Sequence, residues 1–405
     1  MDENVSSDGD EEIEDTSSLL GDDERETMEE NDEGEGRQFD ISLAATHSYM
    51  GSELLPLSGR SVLEAGWEGK VPVTIHHGVV FPGETVPMLI GDQHDAAMLV
   101  QVIEEDKLFG LLCPDDSGTK ISGYGVLCEV FEATPAIVSL KVKARAIHRF
   151  RFVDMPKPTQ PRINFYRMQM VKVRVLPELR RGDPLHNARL ASLDPLRRSN
   201  IDSRLRSMDA SVTPWPRFVY EIFDYQGMRE IIKDYFKSMS LCAVPEDPVS
   251  LSFWTASNLA LSARERLALF RVDDALLRLH MEVRFITRKS VLCCTSCAAE
   301  IARREHIFAM SSEGVHSNYT NLGGYMHDVV TVSRATNTQL SGAPSAEFSW
   351  FPGYTWTIAH CHTCMAHVGW RFDAQERSLR PQRFYGLCRN YVQPLPPPDD
   401  ALQYV

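Results

Sequence analysis

The stretch SWFPGYTWTIAHCHTCMAHVGWRF, residues 349–372, decides the fold of the C-terminal part of this chain. It carries three of the six tryptophans and the Cys-x-x-Cys pair formed by Cys361 and Cys364. A second such pair, Cys294 and Cys297, precedes it with 63 residues between the two pairs. Four thiolates in paired turns supply the soft, tetrahedral donor set of a structural zinc ion. The sequence therefore predicts one zinc ion that ties distant parts of a β-rich domain together.

Alternatives to this zinc site remain open from the sequence. Reduced core thiols or a redox pair would also account for the cysteines. Cys293 could replace its neighbour Cys294 as a ligand, although the Cys-x-x-Cys spacing favours Cys294. His360 and His362, on either side of Cys361, are alternative donors. With four cysteines present, we expect both histidines to lie on the surface.

The tryptophans of the same stretch, Trp350, Trp356 and Trp370, fall within 21 residues. Tryptophans in a β-rich segment usually belong to the hydrophobic core, which is one interpretation of this cluster. A rigid clamp beside clustered indoles also suits a small pocket that holds a flat ligand. This part of the chain thus indicates recognition rather than catalysis.

The charge of the chain is concentrated at its N-terminus. The whole chain has a formal charge of −14, whereas residues 1–40 hold 18 Asp or Glu against Arg25 and Arg37, a net of −16. The remainder is therefore close to +2, without a basic stripe, which argues against nucleic acid as a direct partner. The acidic segment has almost no aromatic residues and is predicted to be disordered. It is either a solubilising leader or a docking or phosphoregulated segment.

Targeting signals are not evident in the sequence. The acidic N-terminus lacks the basic and apolar regions of a secretory signal, and no apolar stretch reaches the length of a membrane span. We therefore expect no membrane association. Nine cysteines without such a signal favour a reducing compartment, in which thiols and metal sites replace disulfides.

Hydrophobic periodicity divides the rest of the chain into three regions. Short β-type runs separated by turns fill the region from Val71 to about residue 175, with one helix at 96–105. Helical spacing dominates from Trp215 to about 286, where Ser262 and Glu265 have the spacing of a capping box. These helices are either core or a protein-docking insert. The third region is again β-rich.

Three motifs carry a resemblance to a known family. The segment 71–90, with VVFPGETVPM at its centre, resembles the opening of a Lon N-terminal domain, yet no GxxxxGK[ST] phosphate loop occurs anywhere. That domain, the helical motif SVTPWPRFVYEIFD (211–224) and the closing zinc domain together resemble the cereblon family. Members of this family are substrate receptors of cullin–RING ubiquitin ligases. The resemblance covers about residues 70–393.

The resemblance implies an α+β multi-domain protein in four parts. A Lon N-terminal-like β-domain with a helical insert is followed by a zinc-stabilised all-β domain of the β-tent, or CULT, type. The implied parts are an acidic disordered tail (1–68), the Lon-like domain (70–288), the ligand domain (289–393) and a disordered tail (394–405). The family docks onto its adaptor through the segment at about 187–250. The resemblance also implies a cytoplasmic and nuclear location.

The family's site residues transfer to matching positions of this chain. The zinc ligands are Cys294, Cys297, Cys361 and Cys364, for one structural zinc ion. The ligand-binding positions are Asn321, Phe348, Ser349, Trp350, Trp356, Trp370 and Phe372. In the family, the three indoles form a cage, Phe372 is its aromatic floor and Asn321 lies at the rim. No catalytic residue is implied.

The resemblance also implies ligands and partners. The cage binds glutarimides of the thalidomide type, uracil-like rings and proteins that end in a C-terminal cyclic imide. The damaged-DNA-binding adaptor protein links the receptor to the cullin and RING subunits, which it contacts only indirectly. The receptor presents target proteins for ubiquitination and proteasomal degradation.

Two residues depart from the pattern of vertebrate members of the family. Phe348 stands where they carry His, and Leu322 where they carry Pro. Since the family's key contacts at the first position use backbone groups, we expect the imide hydrogen bonds to persist. The rim preferences are what these changes alter, together with Ile358, another rim position.

Two other functions are alternatives to the predicted role as a substrate receptor. Methionine sulfoxide reductases of the B type share the zinc-clamped β-fold, and Cys388 would be the candidate catalytic cysteine. No resolving cysteine is evident, so a packed, inert thiol is the alternative for Cys388. The other function is an ATP-independent chaperone or regulator that uses the Lon-like domain alone.

Overall fold

The computed structural model describes most of the chain. The described residues are 36–58, 63–135, 140–153, 165–185, 192, 202–241, 243–288 and 290–395. Most of the predicted acidic tail, residues 187–191 and 193–201 of the predicted docking segment, and the predicted exit after residue 395 therefore lie outside the described residues. No helix of the described part is both long and apolar enough to span a membrane.

The N-terminal segment, defined here as residues 37–58, is ordered, so the prediction of a disordered tail up to residue 68 is wrong for this part. Its elements are β1 (Arg37–Gln38), α1 (Ile41–Ala45), a 3₁₀ turn (Ser48–Met50) and β2 (Leu55–Pro56). Phe39, Ala44 and Met50 are buried. Burial of these apolar side chains against distant parts of the chain explains the order, although the segment has little periodicity of its own.

The Lon-like region contains a closed β-barrel. Its elements are β3 (Glu68–Ile75), β4 (Thr85–Ile90), α2 (Gln93–Glu104), β5 (Leu108–Pro114), β6 (Ile121–Ala133), β7 (Leu140–Phe152) and β8 (Gln169–Val175). The strand order is β2-β6-β5-β3-β8-β7-β4, and the additional pairing of β6 with β7 closes a ring of five strands. β3 and β5 pair in parallel, whereas the other described strand pairs of this sheet are antiparallel.

Small residues inside the barrel make room for one large ring. Phe150 is fully buried, and a Cβ atom placed on Gly125 would lie 2.4 Å from its Cζ atom. Gly110 faces the same ring, with a distance of 2.9 Å from its ideal Cβ to Phe150 Cε1. The two glycines therefore allow a phenylalanine to fill the barrel without overpacking.

Six helices follow the barrel in the described part. They are α3 (Asp202–Ser211), α4 (Arg217–Ile222), α5 (Tyr225–Lys237), α6 (Pro248–Asn258), α7 (Ala263–Phe270) and α8 (Ala275–Ile286). The predicted capping box is present at α7, where the Ser262 hydroxyl accepts from the Glu265 N–H and the Glu265 carboxylate accepts from the Ser262 N–H. The amphipathic α5 buries Met228, Ile232 and Phe236.

Buried arginines join the helices to the barrel. Arg149 on β7 and Arg278 on α8 are both inaccessible to solvent, and both pair with Glu178, at 2.6 and 3.1 Å. The Arg278 guanidinium also lies 3.9 Å from the ring centroid of Phe253 on α6. Buried charges need such partners to offset their lost hydration.

The C-terminal region contains two sheets and the short strand β16, which pairs with β1 outside them. Its strands are β9 (Val291–Cys294), β10 (Glu300–Arg303), β11 (His316–Thr320), β12 (Met326–Val332), β13 (Thr338–Ser345), β14 (Tyr354–Cys361), β15 (His367–Ala374), β16 (Leu379–Arg380), β17 (Arg383–Cys388) and β18 (Val392–Leu395). The six-stranded sheet has the order β11-β12-β17-β15-β14-β13, and β10-β9-β18 form the smaller sheet.

The C-terminal boundary of this region differs slightly from the prediction. Pro394 and Leu395 belong to β18 and pair with Leu292 and Val291 of β9. The predicted disordered exit at 394–405 therefore does not include these two residues. At the other end of the chain, β1 pairs in parallel with β16, which places the N-terminal segment on the C-terminal region.

Candidate metal centre and aromatic cavity

Two turns of matching geometry bring the four cysteines together. Cys294 ends β9 and Cys361 ends β14, and each is followed by a tight turn. The residue after each second cysteine, Ala298 or Met365, has a left-handed backbone with φ of 60° or 58°. Its N–H donates to the carbonyl of the first cysteine, at 2.9 Å for Ala298 and 2.8 Å for Met365. The chain thus builds the same knuckle twice.

The thiols of the two knuckles face one another. The four Sγ atoms of Cys294, Cys297, Cys361 and Cys364 lie within 4.8 Å of one another. Two cross-knuckle Sγ distances, Cys294 to Cys364 and Cys297 to Cys361, are 3.6 and 3.5 Å. Tetrahedral Zn–S bonds of about 2.3 Å require Sγ separations of roughly 3.8 Å, so the arrangement fits a zinc ion. The described donor set supports one structural zinc.

The other candidate ligands lie outside this cluster. The Cys293 thiol points to the Val291 carbonyl, 3.9 Å away, as expected for a strand residue whose side chain alternates with that of Cys294. His360 Nδ1 makes a hydrogen bond with the Met365 carbonyl, at 3.1 Å. His362 is exposed. The geometry therefore selects Cys294 over Cys293 and leaves both histidines out of the described cluster.

A cavity of about 290 Å³ opens beside the knuckles. Its walls come from the β11–β12 turn, the segment before β14, and strands β14 and β15. The lining residues are Asn321, Leu322, Gly323, Glu347, Phe348, Trp350, Trp356, Ile358, Trp370 and Phe372. Six of the seven predicted ligand-binding residues line it. Ser349 does not, since its hydroxyl donates to the Phe351 carbonyl at 3.2 Å.

Strand register places the aromatic side chains on one face. Trp356 on β14 pairs with Phe372 on β15, and Ile358 pairs with Trp370. Residues two apart on a strand share a face, so these four side chains point to the same side of the sheet. The Trp350 and Trp370 rings meet at 75° with centroids 4.7 Å apart. The indoles therefore form the walls of a preformed box.

The tryptophans are held by interactions behind the walls. Trp350 is almost fully buried; it stacks on Tyr319 with centroids 5.0 Å apart and donates from Nε1 to the Thr320 carbonyl at 2.9 Å. Trp356 donates from Nε1 to the Glu347 carbonyl, also at 2.9 Å. Phe372, the floor, stacks on Phe384 at 5.0 Å. Locked rings reduce the ordering cost of binding.

The cavity also offers polar backbone groups. Among the residues that the structure describes, neither the Phe348 carbonyl nor the Trp350 N–H has a hydrogen-bond partner. Both residues line the cavity. An unpaired donor and an unpaired acceptor two residues apart are the groups that a planar ring with an N–H beside a C=O would satisfy.

At the rim, the Asn321 side chain is oriented by two hydrogen bonds. Its Oδ1 accepts from the Tyr325 N–H at 3.0 Å, and its Nδ2 lies 3.3 Å from His327 Nε2. Burial lowers the pKa of His327 to about 4, so the imidazole is neutral and its Nε2 can accept from the Asn321 amide. Sequence reasoning missed His327, as well as the lining residues Gly323 and Glu347, because isolated residues of these types carry no spacing signal.

Cys388 lies in the environment of a packed thiol. Its side chain is 1% exposed, and its Sγ is 3.8 Å from His327 Nδ1. Burial raises the pKa of this thiol well above its ordinary value. Since the thiolate is the nucleophilic form, a buried neutral thiol is poorly suited to the reductase chemistry considered above.

Comparisons with known proteins agree with this architecture. Residues 70–288 match the ATP-dependent protease La (LON) substrate-binding domain, and residues 290–395 match the family described as Yippee zinc-binding/DNA-binding/Mis18, centromere assembly. A solved Lon N-terminal domain protein from Xanthomonas campestris is 15% identical with a TM-score of 0.34, over 53% of this chain and 98% of that one.

Curated relatives span nearly the whole chain. The protein cereblon of Danio rerio is 31% identical over 387 residues, which cover 89% of this chain and 88% of the relative. The protein cereblon of Xenopus tropicalis is 30% identical over 90% of this chain and 86% of its own. That of Drosophila virilis is 32% identical over 89% of this chain and 58% of its own.

Proposed function

The chain belongs to the cereblon family, and from this premise we propose that it is the non-catalytic substrate receptor of a cullin–RING ubiquitin ligase. In this role it binds glutarimides, uracil-like rings and C-terminal cyclic imides of target proteins in the tryptophan-lined cavity. The unpaired Phe348 carbonyl and Trp350 N–H beside three indoles are the observation that carries the proposal. Ubiquitin transfer takes place on partner proteins.

The chemistry of a cyclic imide complements this cavity. Its ring has two flat faces, and its edge carries an N–H between two carbonyls. The walls formed by Trp350, Trp356 and Trp370 cover apolar faces by stacking and edge contacts. The Phe348 carbonyl accepts the imide N–H, and the Trp350 N–H donates to an imide carbonyl. A ring without this edge leaves the two backbone groups unpaired, which costs affinity.

An exposed apolar surface supports docking of the adaptor on the helices. We define the α3–α4 patch as Met208, Val212, Trp215 and Phe218, which are between 57% and 78% exposed. Large exposed apolar side chains clustered on one part of a protein often mark an interaction site. The patch lies within the segment of about 187–250 that the family uses for the damaged-DNA-binding adaptor, and residues 202–241 and 243–250 of that segment are described.

The experiment separates the two sites with a pair of tryptophan variants. The zinc-loaded full chain is titrated with a simple glutarimide by isothermal calorimetry, which does not depend on indole fluorescence. In parallel, its binding to the purified adaptor is measured. Trp356→Ala, in the cavity, is expected to lose micromolar imide binding and to keep the adaptor. Trp215→Ala, on the α3–α4 patch, is expected to weaken adaptor binding at least about tenfold and to keep the imide.

Each arm can refute its part of the proposal. A folded, zinc-loaded chain that binds no imide would contradict the ligand assignment. Equal imide affinity in Trp356→Ala would place the ligand elsewhere. Failure of the unmodified chain to bind the adaptor would contradict its role as a ligase receptor.

A further inference from the structure

The N-terminal segment reaches the rear of the aromatic cavity. Tyr49, in the 3₁₀ turn of this segment, does not line the cavity but contacts residues of its wall. Its ring meets that of Phe348 edge to face, with centroids 5.0 Å apart at 73°. Its hydroxyl oxygen accepts a hydrogen bond from the Thr320 N–H at 3.1 Å. Tyr49 is separated from these two residues by more than 270 positions of sequence.

The Tyr49 hydroxyl is linked through Thr320 to a tryptophan of the cavity. Thr320, whose N–H donates to Tyr49, accepts at its carbonyl from Trp350 Nε1 at 2.9 Å. Thr320 is fully buried, so each of these backbone groups would be left without water if its partner were removed. Tyr49 thereby holds the residue whose carbonyl accepts from the Trp350 indole.

The ring contact supports a cavity residue with a left-handed backbone. Phe348 has a φ of 56°, in the left-handed region that bulky side chains rarely adopt. Such a backbone persists only where its surroundings hold it. The Tyr49 ring is one of those surroundings, and the Phe348 carbonyl is one of the two polar groups assigned to the imide. A change at Tyr49 therefore alters the direction of a ligand-binding group.

Tyr49 is itself held in place by the segment and by both folded regions. Its hydroxyl lies 3.3 Å from His47 Nδ1. Burial lowers the pKa of His47 to about 3, so its ring is neutral and can accept the phenolic proton. The Lys143 and Lys141 ammonium groups of β7 donate to the Thr46 and Met50 carbonyls, at 2.7 and 2.9 Å.

We infer that Tyr49 is a positioning residue of the imide cavity, acting on Phe348 through its ring and on Trp350 through the backbone of Thr320. This inference rests on the proposed imide-binding function. The ligand-binding unit is therefore the C-terminal region together with the N-terminal segment, which the sequence assigned to a disordered tail.

The test uses the full zinc-loaded chain and calorimetric titration with a glutarimide. Tyr49→Phe keeps the ring but removes the acceptor for the Thr320 N–H and the hydrogen bond with His47, and it is expected to weaken binding by about 3- to 10-fold. Tyr49→Ala removes the ring as well and is expected to weaken binding by about 10- to 50-fold. The control Tyr166→Ala removes an exposed tyrosine of the Lon-like region and is expected to leave the affinity unchanged.

A spectroscopic readout distinguishes positioning from general destabilisation. In Tyr49→Phe, the indole N–H resonance of Trp350 is expected to shift, because Thr320, which accepts from that indole, loses the partner of its own N–H, while the resonance of Trp67 stays in place. Lys141→Met loosens the segment from β7 without touching the cavity wall. It is expected to leave imide affinity within about twofold, since this single, partly buried hydrogen bond contributes little.

The outcomes separate this inference from the proposed function. If the unmodified chain binds the imide and Tyr49→Phe binds equally well with an unshifted Trp350 resonance, the inference is overturned and the proposed function stands. If Lys141→Met weakens binding as much as Tyr49→Ala, the segment acts as a whole and Tyr49 has no special role. If the unmodified chain binds no imide, the proposed function is contradicted, and the inference that rests on it is contradicted as well.

Discussion

At the scale of single residues, backbone conformation determines which groups the cavity offers. Phe348 is one of seven non-glycine residues with positive φ in the described part of the chain, and it lies in the wall of the proposed ligand site. Its left-handed backbone leaves its carbonyl without a partner in the described structure. Any side chain that tolerates this backbone would present the same carbonyl, so the predicted departure from the His of vertebrate members need not change it.

Replacing Phe348 by His tests this explanation. We expect Phe348→His to change imide affinity by no more than about threefold, because the polar contacts are made by the backbone. Histidine occurs at positive φ more often than phenylalanine, so the free energy of unfolding should stay level or rise by up to about 1 kcal/mol. Calorimetric titration and thermal unfolding measure the two quantities. A loss of affinity beyond tenfold would mean that the phenyl ring itself contacts the ligand.

At the scale of elements, the paired knuckles link strands that are far apart in sequence. β9 belongs to the smaller sheet and β14 to the larger one, so the zinc ion joins the two sheets. Metal binding of this kind contributes directly to folding, because the unfolded chain has no preformed site. Trp356 on β14 and Trp370 on β15 therefore lie on strands of the sheet that the zinc ion ties to β9.

Two neighbouring cysteines provide a matched pair for testing the zinc site. Cys294→Ser is expected to abolish stoichiometric zinc and to unfold the C-terminal region, whereas Cys293→Ser should keep one zinc ion per chain. The reason is that only the Cys294 thiol faces the other three. Zinc content by mass spectrometry and near-ultraviolet circular dichroism give the readouts. Equal zinc loss in both variants would contradict the assigned ligand set.

The helix α7 offers a second test at this scale. Ser262→Ala removes the side-chain cap of its first turn and is expected to lower the free energy of unfolding by about 1 kcal/mol. Urea unfolding measures the change. Ser341→Ala, on the exposed edge strand β13, is the control and should alter stability by less than about 0.5 kcal/mol. Equal free energies of unfolding for the two variants would show that the cap does not contribute to stability.

How far the sequence predicts an element depends on whether its signal is local. The zinc ligands and the α7 cap follow fixed spacings, so Cys294, Cys297 and the Ser262–Glu265 pair can be found without knowing the fold. The N-terminal segment has a five-residue helix and two-residue strands, whose order comes from contacts with distant sequence. Tyr49 belongs to the site only through such contacts, which hydrophobic periodicity in the sequence does not predict.

At the scale of the whole molecule, polar groups specify how the Lon-like and C-terminal regions meet. β11 is buried along its whole length although its sequence is HSNYT. Its Asn318 donates to the Glu84 carboxylate at 2.8 Å and to the Thr85 carbonyl at 3.2 Å. Asn258 on α6 accepts from the Val315 N–H at 2.8 Å. A junction built from hydrogen bonds defines one arrangement more strictly than an apolar contact would.

Close approach at this junction also requires glycine. Gly314 has a φ of 144°, and a Cβ atom placed on it would lie 1.8 Å from Asn258 Oδ1. Gly324, with a φ of 78°, also approaches the Leu89 carbonyl closely, since a Cβ atom placed on it would lie 2.8 Å from that oxygen. These contacts join α6 and β4 to the turns on either side of β11, so side chains would separate the two regions.

Glu84, at the centre of the junction, makes the stability of the folded chain depend on pH. Burial raises the pKa of Glu84 to about 7, despite the nearby Arg266 guanidinium and together with the repulsion of Asp328. An unfolded glutamate titrates near 4.5, so between pH 4.5 and 7 the folded state binds more protons than the unfolded state. The contribution of Glu84 to the free energy of unfolding must therefore fall as pH rises through this window.

Glu84→Gln isolates this contribution from the histidines nearby, among them His316, whose pKa burial lowers and which acts in the opposite direction. We expect the stability of the unmodified chain, relative to Glu84→Gln, to fall by about 2–3 kcal/mol between pH 5 and pH 8. Urea unfolding at each pH measures the difference. Thr119→Val, on an exposed turn of the Lon-like region, is the control and should give a constant difference. A difference that does not change with pH for Glu84→Gln would mean that Arg266 keeps Glu84 ionised, and the junction would then be a permanent ion pair.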